Sequence, residues 1–212
     1  LDSRSGAIEL ADGTHINADG VVIASGSRAR RWPGCEDMAG VHAALPAVPV
    51  LPLIESAAGY GALATIAAAR NVLRLVIGHI DFMADTGLQC SEGEHELAPL
   101  RFAVAMATRA NALAPAVDGV TLAIDDDEQL RRDTRQALRY GFGAKLCIHP
   151  RQIASVHQAM APAAADVAWA QRVLEADAQS GGAAVQLDGR MVERLHAEMA
   201  KRVVALAEAI AA

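Results

Sequence analysis

The stretch VLPLIE at residues 50–55 is an apolar, strand-like run that ends in a carboxylate, Glu55. A second apolar run, LRLVIGHID at residues 73–81, ends in the same way at Asp81. Residues 57–69 between the two runs are rich in alanine and have a helical composition. If the two runs are neighbouring parallel strands, both carboxylates emerge at the carboxyl end of one sheet, where α/β proteins place their ligands.

This pair of carboxylates predicts a metal site. Acidic oxygen ligands that lie one strand apart suit a hard divalent cation such as Mg²⁺, which binds through one or two carboxylates and keeps other positions for water and substrate. Glu55 and Asp81 are therefore the candidate metal ligands.

The composition limits the kind of protein. The 212 residues are enough for one substantial domain, or for a domain with an appendage. Hydrophobic residues make up 52% of the chain and aromatic residues only 3%, so we expect an aliphatic core. The formal net charge of −6, with a single short basic cluster at residues 28–31, argues against a nucleic-acid partner.

The cysteines and the apolar runs indicate the compartment. Cys35, Cys90 and Cys147 are odd in number and widely spaced, which fits neither a disulfide framework nor a Cys-x-x-Cys metal site. We expect reduced thiols in a cytoplasmic protein. The sequence contains no uncharged run of about 18 apolar residues, so it predicts no membrane span. The start, LDSRSG, lacks both the apolar core of a secretory signal and an initiator Met, which suggests that the chain begins inside a longer reading frame.

The character of the sequence changes near residue 46. Residues 1–45 alternate like a β-hairpin, with a tight-turn signal at Asp12-Gly13, and then continue as a polar loop. In residues 46–212 strand-like and helical segments alternate, which predicts a parallel sheet with helices outside it. We expect strands near residues 50–54, 73–77, 119–123 and 145–148, and helices near residues 60–69, 97–113, 127–140, 151–160, 164–178 and 190–210.

Four strand–helix units amount to half of a (β/α)₈ barrel, which needs about eight strands. The predicted fold class is therefore α/β: a partial TIM barrel with carboxyl-terminal helices and an amino-terminal hairpin appendage. A half barrel leaves two strand edges unpaired, and such edges invite pairing with another chain. Either two copies associate, or the hairpin at residues 7–24 covers an edge, or the fold is marginal.

Four segments, in order, carry a family resemblance. The clearest is GFGAKLCIHPRQI at residues 141–153, which closely resembles the signature of the citrate lyase β-subunit-like (HpcH/HpaI aldolase) superfamily. The other three are LIESAAG at 53–59, GHIDF at 78–82 with Asp85 and Gly87, and VDGVT at 117–121, and the resemblance covers about residues 48–212.

The resemblance implies a function. Members of this family are TIM barrels with an added carboxyl-terminal helical segment, commonly trimers or hexamers. They cleave or form carbon–carbon bonds in hydroxy-acyl thioesters of the citryl-, malyl- or citramalyl-CoA type. The family's Mg²⁺ ligands fall on Glu55 and Asp81, and the metal acts as a Lewis acid in a retro-aldol or retro-Claisen cleavage. We thus expect a homo-oligomeric, Mg²⁺-dependent carbon–carbon lyase with an acyl-CoA substrate.

Further residues take expected roles from the same resemblance. Gly78 and Asp118 are candidates for substrate binding, although Asp118 could instead cap the turn before Gly119. Asp85 could support the metal ligands or begin a helix, and we expect Lys145 to form a structural ion pair.

Glu193 is a candidate general acid or base. It stands in GRMVE at residues 189–193, where some relatives carry an Asp that a neighbouring subunit supplies. The extra methylene of Glu moves the carboxylate by about 1 Å, a displacement that can cost about 10²-fold in rate.

Two alternative functions follow from the parts of the chain that do not resemble this family. The family's first four strands, which carry a substrate-clamping Arg, have no counterpart in the sequence, so the chain could be a catalytically incomplete fusion fragment that binds metal or oligomerises. Residues 1–45 resemble instead the hairpin and flavin-contacting strand end of flavin-dependent pyridine-nucleotide reductases. A flavin reductase remnant is the weaker alternative, since no Gly-x-Gly-x-x-Gly loop accompanies that segment.

Overall fold

The computed structural model describes residues 7–9, 15–17, 21–23 and 48–211. The chain divides into two compact units, Leu1–Val156 and His157–Ala212. The predicted domain boundary at residue 46 stays a prediction, because most of the residues before it lie outside the described ones.

The first unit is built on a parallel sheet. Among the described residues, five strands form it in the order β3-β4-β5-β6-β7. Every pairing in the sheet is parallel, which confirms the predicted α/β class. These strands are β3 (Val21–Ile23), β4 (Val50–Ile54), β5 (Val76–Ile77), β6 (Val117–Asp118) and β7 (Ala144–Lys145).

Helices connect the strands of this sheet. In chain order they are α1 (Ala57–Gly61), α2 (Leu63–Ala67), α3 (His79–Thr86), a 3₁₀ turn (His95–Leu97), α4 (Ala98–Ala110), α5 (Asp127–Arg139) and α6 (Gln152–Met160). This strand–helix alternation is the arrangement expected for part of a (β/α)₈ barrel.

The three amino-terminal strands belong to two different sheets. The strands β1 (Ala7–Glu9) and β2 (His15–Asn17) form an antiparallel hairpin, as the alternation and the Asp12-Gly13 signal predicted. The strand β3 instead joins the main sheet, where Val21 faces Val50 and Ile23 faces Pro52 on β4. The expectation that the hairpin at residues 7–24 covers an edge is therefore met only by its last strand: β3 pairs with β4, whereas β1 and β2 form a separate sheet.

The core of the first unit is aliphatic, as the composition predicted. Leu75 and Ile77 at the centre of the sheet are fully buried, and Val104 on α4 is equally buried. Aromatic rings contribute little besides Phe82 and Phe142.

Three predicted elements are placed differently in the structure. The strand expected at 119–123 lies instead at Val117–Asp118, and the following Gly119 packs against His79. The strand expected at 73–77 is shortened to Val76–Ile77, and the helix α3 that begins at His79 was not among the predicted helices. The helix expected from residue 190 begins at Arg194.

The second unit is a helical pair with a small hairpin. The helices α7 (Ala164–Ser180) and α8 (Arg194–Ala211) flank the antiparallel strands β8 (Val185–Leu187) and β9 (Arg190–Val192). Asp188 and Gly189 both have positive φ, +50° and +76°, as the first and second residues of a type I′ turn require. The hairpin displaces the start of the last helix from its predicted position.

No helix in the described part of the chain combines the length and the apolar character that crossing a bilayer requires.

A buried glutamine joins the segments that follow β6 and β7. Gln152 is 1% exposed, and its Oε1 accepts a hydrogen bond from the Ile148 amide at 2.9 Å. Its Nε2 donates to the carbonyls of Thr121 at 2.8 Å and Ala123 at 3.3 Å. One side chain thereby holds together two loops at the carboxyl edge of the sheet.

We expect Gln152→Met to lower the free energy of unfolding by about 2–3 kcal/mol, because it removes the partners of several backbone groups at once. Urea denaturation followed by circular dichroism measures the change. Gln171→Met, at an exposed position on α7, is the control and should change stability by less than about 0.5 kcal/mol. Equal losses in the two variants would show that the Gln152 contacts do not stabilise the fold.

Candidate metal centre

Glu55 is the first residue after β4, at the carboxyl end of the sheet. Its side chain is 4% exposed. The next residue, Ser56, caps α1 by accepting a hydrogen bond from the Gly59 amide at 3.1 Å. The buried position strengthens the attraction between this carboxylate and a cation, because the surrounding dielectric constant is lower than that of water.

Asp81 lies in the first turn of α3 and is half-buried. The β4–β5 register pairs Ile54 with Ile77, so that Glu55 and Gly78 are the next residues on the two adjacent strands. The Gly78 amide continues the pairing by donating to the Ile54 carbonyl at 3.0 Å. The sheet therefore brings both segments that carry the predicted ligands to the same edge.

Gly78 makes room for Glu55. A Cβ atom added at Gly78 would lie 2.8 Å from the Glu55 Cβ and 3.2 Å from the Glu55 Oε2, which is too close for a side chain. The structure thus gives Gly78 a steric role beside the candidate ligand, while its predicted contact with substrate stays a prediction.

Asp85 connects α3 back to the segment that carries Glu55. Its Oδ2 accepts a hydrogen bond from the Ala57 amide at 2.8 Å, across 28 residues of sequence. Asp85 lies in the last turn of α3, so the expectation that it begins a helix is wrong. The contact places it instead in support of the residues around Glu55.

The chemistry of the two predicted ligands, Glu55 and Asp81, suits a magnesium ion, and their role as a metal site stays a prediction. Among residues 48–211 and the three short strands described before them, no group of three or more His, Cys, Asp and Glu side chains is arranged to hold a metal ion. Mg²⁺ does not need such a group, since it is usually bound by one or two carboxylates and completes its octahedron with water and substrate. Two carboxylates at the open end of a sheet match that preference.

Three buried charged side chains, Arg101, Asp118 and Lys145, form ion pairs together with the partly exposed Glu94, and we call these four residues the buried ion cluster. The Arg101 Nε donates to the Asp118 Oδ1 at 3.1 Å, and its Nη2 donates to the Glu94 Oε2 at 2.6 Å. The Lys145 Nζ lies 3.9 Å from the Asp118 Oδ2 and donates to the Gly119 carbonyl at 2.8 Å. The cluster joins β6, β7 and α4 with the segment before the 3₁₀ turn.

The cluster defines the surroundings of two predicted residues. Asp118 has no exposed surface and faces Arg101 and Lys145, so its predicted contact with substrate stays a prediction. Lys145 has the ion-pair geometry that we expected. Burial lowers the pKa of Lys145, and the Asp118 carboxylate offsets only part of that effect.

Sequence reasoning missed Arg101, the centre of the cluster. Arg101 is 2% exposed and lies on α4 among buried residues at helical spacing, with Leu97 and Leu100 before it and Val104 after it. A charge within the apolar stripe of an amphipathic helix was the available signal, because such a residue must find a buried partner. The Asp118 and Glu94 carboxylates raise the pKa of Arg101 in spite of its burial.

His79 packs against Gly119 at the start of α3. Its Nε2 lies 3.6 Å from the Glu94 Oε1, and a Cβ atom at Gly119 would overlap its Nδ1. Burial lowers the pKa of His79, and the nearby Glu94 and Asp118 carboxylates do not reverse the shift. The imidazole of His79 occupies the space that Gly119 leaves open.

A cavity of about 580 Å³ opens beside the cluster. It lies between α3, the segment 88–94 and the start of α5, with Ile80 and Met83 on one wall and Asp133 on another. The Asp133 Oδ2 accepts a hydrogen bond from the Thr121 hydroxyl at 2.6 Å. The lining is mixed, apolar on α3 and polar at the α5 side.

Glu193, the predicted acid or base, belongs to the second unit. It follows β9, is exposed, and its amide donates to the His196 Nδ1 at 3.3 Å. Its predicted role stays a prediction.

The parallel sheet and its acidic carboxyl edge define an α/β protein of the barrel type with a candidate cation site. The family model for HpcH/HpaI aldolase/citrate lyase matches residues 20–150, and the chain belongs to this family. The superfamily resemblance predicted from the four motifs is confirmed. No comparison addresses the reductase-like resemblance of residues 1–45, which stays a prediction.

Curated relatives carry several activities in their names. The chain is 32% identical, over its full length, to a (3S)-malyl-CoA thioesterase of Cereibacter sphaeroides, of which it covers 73%. It is 35% identical to a citrate lyase subunit beta-like protein of Deinococcus radiodurans over 69% of this chain and 52% of that protein. A mitochondrial citramalyl-CoA lyase of Rattus norvegicus is 30% identical over 64% of this chain and 41% of that protein.

A solved structure shares the fold. The protein CitE of Mycobacterium tuberculosis, crystallised with magnesium, acetoacetate and coenzyme A, superposes with a TM-score of 0.70 and 32% identity. The superposition covers 83% of this chain and 67% of that one. A citrate lyase of Burkholderia xenovorans shares the fold at 19% identity and a TM-score of 0.69, over 91% of this chain and 63% of that one.

We expect Arg101→Met to lower the free energy of unfolding by about 3–5 kcal/mol, because it leaves the buried Asp118 carboxylate without its main partner. Chemical denaturation at neutral pH measures the loss. Arg109→Met, at an exposed position on the same helix, is the control and should cost less than about 0.5 kcal/mol. Arg101→Lys restores a charge without the planar fork, and should fall between the two. An unfolding free energy for Arg101→Met within about 1 kcal/mol of wild type would contradict this account of the cluster.

Proposed function

We propose that the chain is a Mg²⁺-dependent carbon–carbon lyase that acts on a hydroxy-acyl thioester of the citryl-, malyl- or citramalyl-CoA type. Glu55 and Asp81 are its metal ligands. The observation that carries the proposal is the β4–β5 register, which sets the Glu55 segment beside the segment of Asp81 at the carboxyl edge of the sheet.

The relatives support the metal and the substrate class. The Mycobacterium tuberculosis protein was crystallised with magnesium, acetoacetate and coenzyme A, and also with oxaloacetate and magnesium. A lyase of citramalyl-CoA is among the curated relatives. These facts concern those proteins, and they favour a Mg²⁺-dependent acyl-CoA reaction for this chain.

The residues of this chain have separable tasks in the proposed reaction. When bound, Mg²⁺ supplies Lewis acidity to the substrate oxygen that gains charge as the carbon–carbon bond breaks. Glu55 and Asp81 hold the ion, and Gly78 leaves the space that Glu55 occupies. The buried ion cluster keeps the ends of β6 and β7 in place beside them.

Other roles in the proposal are predictions from the family resemblance. Gly78 and Asp118 are candidates for contact with substrate, and Glu193 of a neighbouring copy is the candidate that moves a proton. That assignment requires a homo-oligomer. A cytoplasmic location is the corresponding expectation from the reduced cysteines, of which Cys90 and Cys147 are free thiols.

Thioester hydrolysis is a second candidate. The (3S)-malyl-CoA thioesterase matches this chain over its full length at 32% identity, a longer match than that to the citramalyl-CoA lyase. The two reactions differ in the bond that breaks. A lyase leaves the thioester intact on the acyl product, whereas a thioesterase consumes water and releases the free CoA thiol.

A catalytically incomplete fragment is the alternative to both enzymes. It would bind Mg²⁺ or assemble with other chains without turnover. Metal binding and turnover are therefore tested separately.

We expect the chain to bind Mg²⁺, and Glu55→Gln or Asp81→Asn to weaken binding at least tenfold, because each removes an anionic oxygen ligand. Isothermal titration calorimetry with MgCl₂ measures the affinity, with MnCl₂ as a second probe. Asp166→Asn, which changes an exposed carboxylate in the second unit, is the control and should bind like wild type. Wild-type affinity in both ligand variants would place any metal site elsewhere.

We expect (3S)-malyl-CoA and citramalyl-CoA to be cleaved with Mg²⁺ and spared in EDTA. Chromatography of the products distinguishes acetyl-CoA, formed by carbon–carbon cleavage, from free CoA, formed by hydrolysis. A thiol reagent reports free CoA independently. Release of free CoA without acetyl-CoA would overturn the lyase in favour of the thioesterase. Absence of both products from folded, Mg²⁺-binding protein would favour the incomplete fragment.

A further inference from the structure

The segment that carries Glu55 is attached to α3 at two points. On its amino-terminal side the Ile54 carbonyl accepts the Gly78 amide at 3.0 Å, just before α3 begins. On its carboxyl-terminal side the Ala57 amide donates to the Asp85 Oδ2 at 2.8 Å, in the last turn of α3. Glu55 lies between these two attachments, and Asp81 lies between their anchor points on α3.

The Asp85 contact satisfies a helix terminus that local residues leave open. Ala57 is the first residue of α1, and the first amides of a helix have no partner within it. Ser56, the cap residue, accepts from Gly59 instead. Asp85 thus caps α1 from another helix, which couples the position of α1 to that of α3.

We propose that Asp85 is a positioning residue for the metal centre: through the Ala57 amide it holds the Glu55 segment at a fixed place relative to Asp81. The inference rests on the proposed Mg²⁺ site. Asp85 needs no contact with the ion, since it acts through the backbone two residues beyond Glu55. The hydrogen bond requires only an acceptor oxygen at residue 85, so its role is separable from that of its negative charge.

Replacing Asp85 with Asn separates the role of the hydrogen bond from the role of the negative charge. Asp85→Asn keeps an oxygen that can accept the Ala57 amide and removes the charge, whereas Asp85→Ala removes both. If the residue acts by positioning, Asp85→Asn binds Mg²⁺ within about twofold of wild type. Asp85→Ala should lose about tenfold in affinity, the usual scale for residues that orient metal ligands.

The chain offers a matched control at another helix. Asp126 caps α5 by accepting the Gln129 amide at 2.8 Å, and like Asp85 it is exposed. Asp126→Ala should reduce stability as the loss of a cap does, without changing Mg²⁺ affinity. The comparison separates the loss of a helix cap from the loss of ligand positioning.

The experiment titrates MgCl₂ into wild type and the Asp85→Ala, Asp85→Asn and Asp126→Ala variants by calorimetry, with amide hydrogen exchange at Ala57 as a second readout. We expect faster exchange at Ala57 and weaker Mg²⁺ binding in Asp85→Ala alone. Wild-type affinity in Asp85→Ala would overturn the inference. Equal losses in Asp85→Ala and Asp85→Asn would assign the effect to charge and overturn positioning.

Failure of the proposed function gives a different result. If the wild-type chain bound no Mg²⁺, or if Glu55→Gln and Asp81→Asn bound it normally, the metal centre itself would be wrong and the inference would fall with it. The exchange rate at Ala57 would still report whether the Asp85 hydrogen bond forms in solution.

Discussion

The hydrogen bond from the Gly78 amide to the Ile54 carbonyl is the contact on which the candidate site depends. It extends the β4–β5 ladder by one step and ends it, so that the chain turns into α3 directly beside Glu55. Parallel strands end at the same edge, and a strand that ends in a glycine can bring its backbone against a neighbouring side chain. Backbone pairing thus sets the relative position of the two segments that carry Glu55 and Asp81.

The buried ion cluster is a second constraint, and it acts on the other half of the edge. Charges inside a protein stabilise a fold only when their geometry is satisfied, and removing one partner costs more than the pair contributes. Arg101 meets this condition with two of its three nitrogens: its Nε donates to Asp118 and its Nη2 to Glu94, whereas its buried Nη1 has no hydrogen-bond partner among the described residues. Glu94 is held at a positive φ of +49°, which few residues other than glycine adopt. The cluster therefore determines the course of the segment before α4 as well as the ends of the strands.

The sequence was sufficient to predict the alternation of strands and helices and the parallel sheet, because apolar runs at strand and helix spacing are local patterns. The role of Glu55 and Asp81 as metal ligands stays a prediction. The sequence was not sufficient where contacts between residues distant in sequence determine the structure. At the end of β6, Asp118 pairs with Arg101 and Gly119 packs against His79, and both partners are remote in sequence. The second hairpin was different, since its Asp188-Gly189 turn is a strong local signal that the helical pattern of the following residues obscured.

The His79 ring fills the space in which a side chain at residue 119 would lie, so the two positions constrain each other. A side chain at 119 is excluded only while an imidazole fills the space at 79. The effects of substitutions at the two sites are therefore not additive, as is usual for residues in direct contact. In evolution the two substitutions must therefore occur in a fixed order: a smaller residue must replace His79 before a larger residue can replace Gly119. The reverse order passes through a chain in which the added side chain at 119 overlaps the His79 ring.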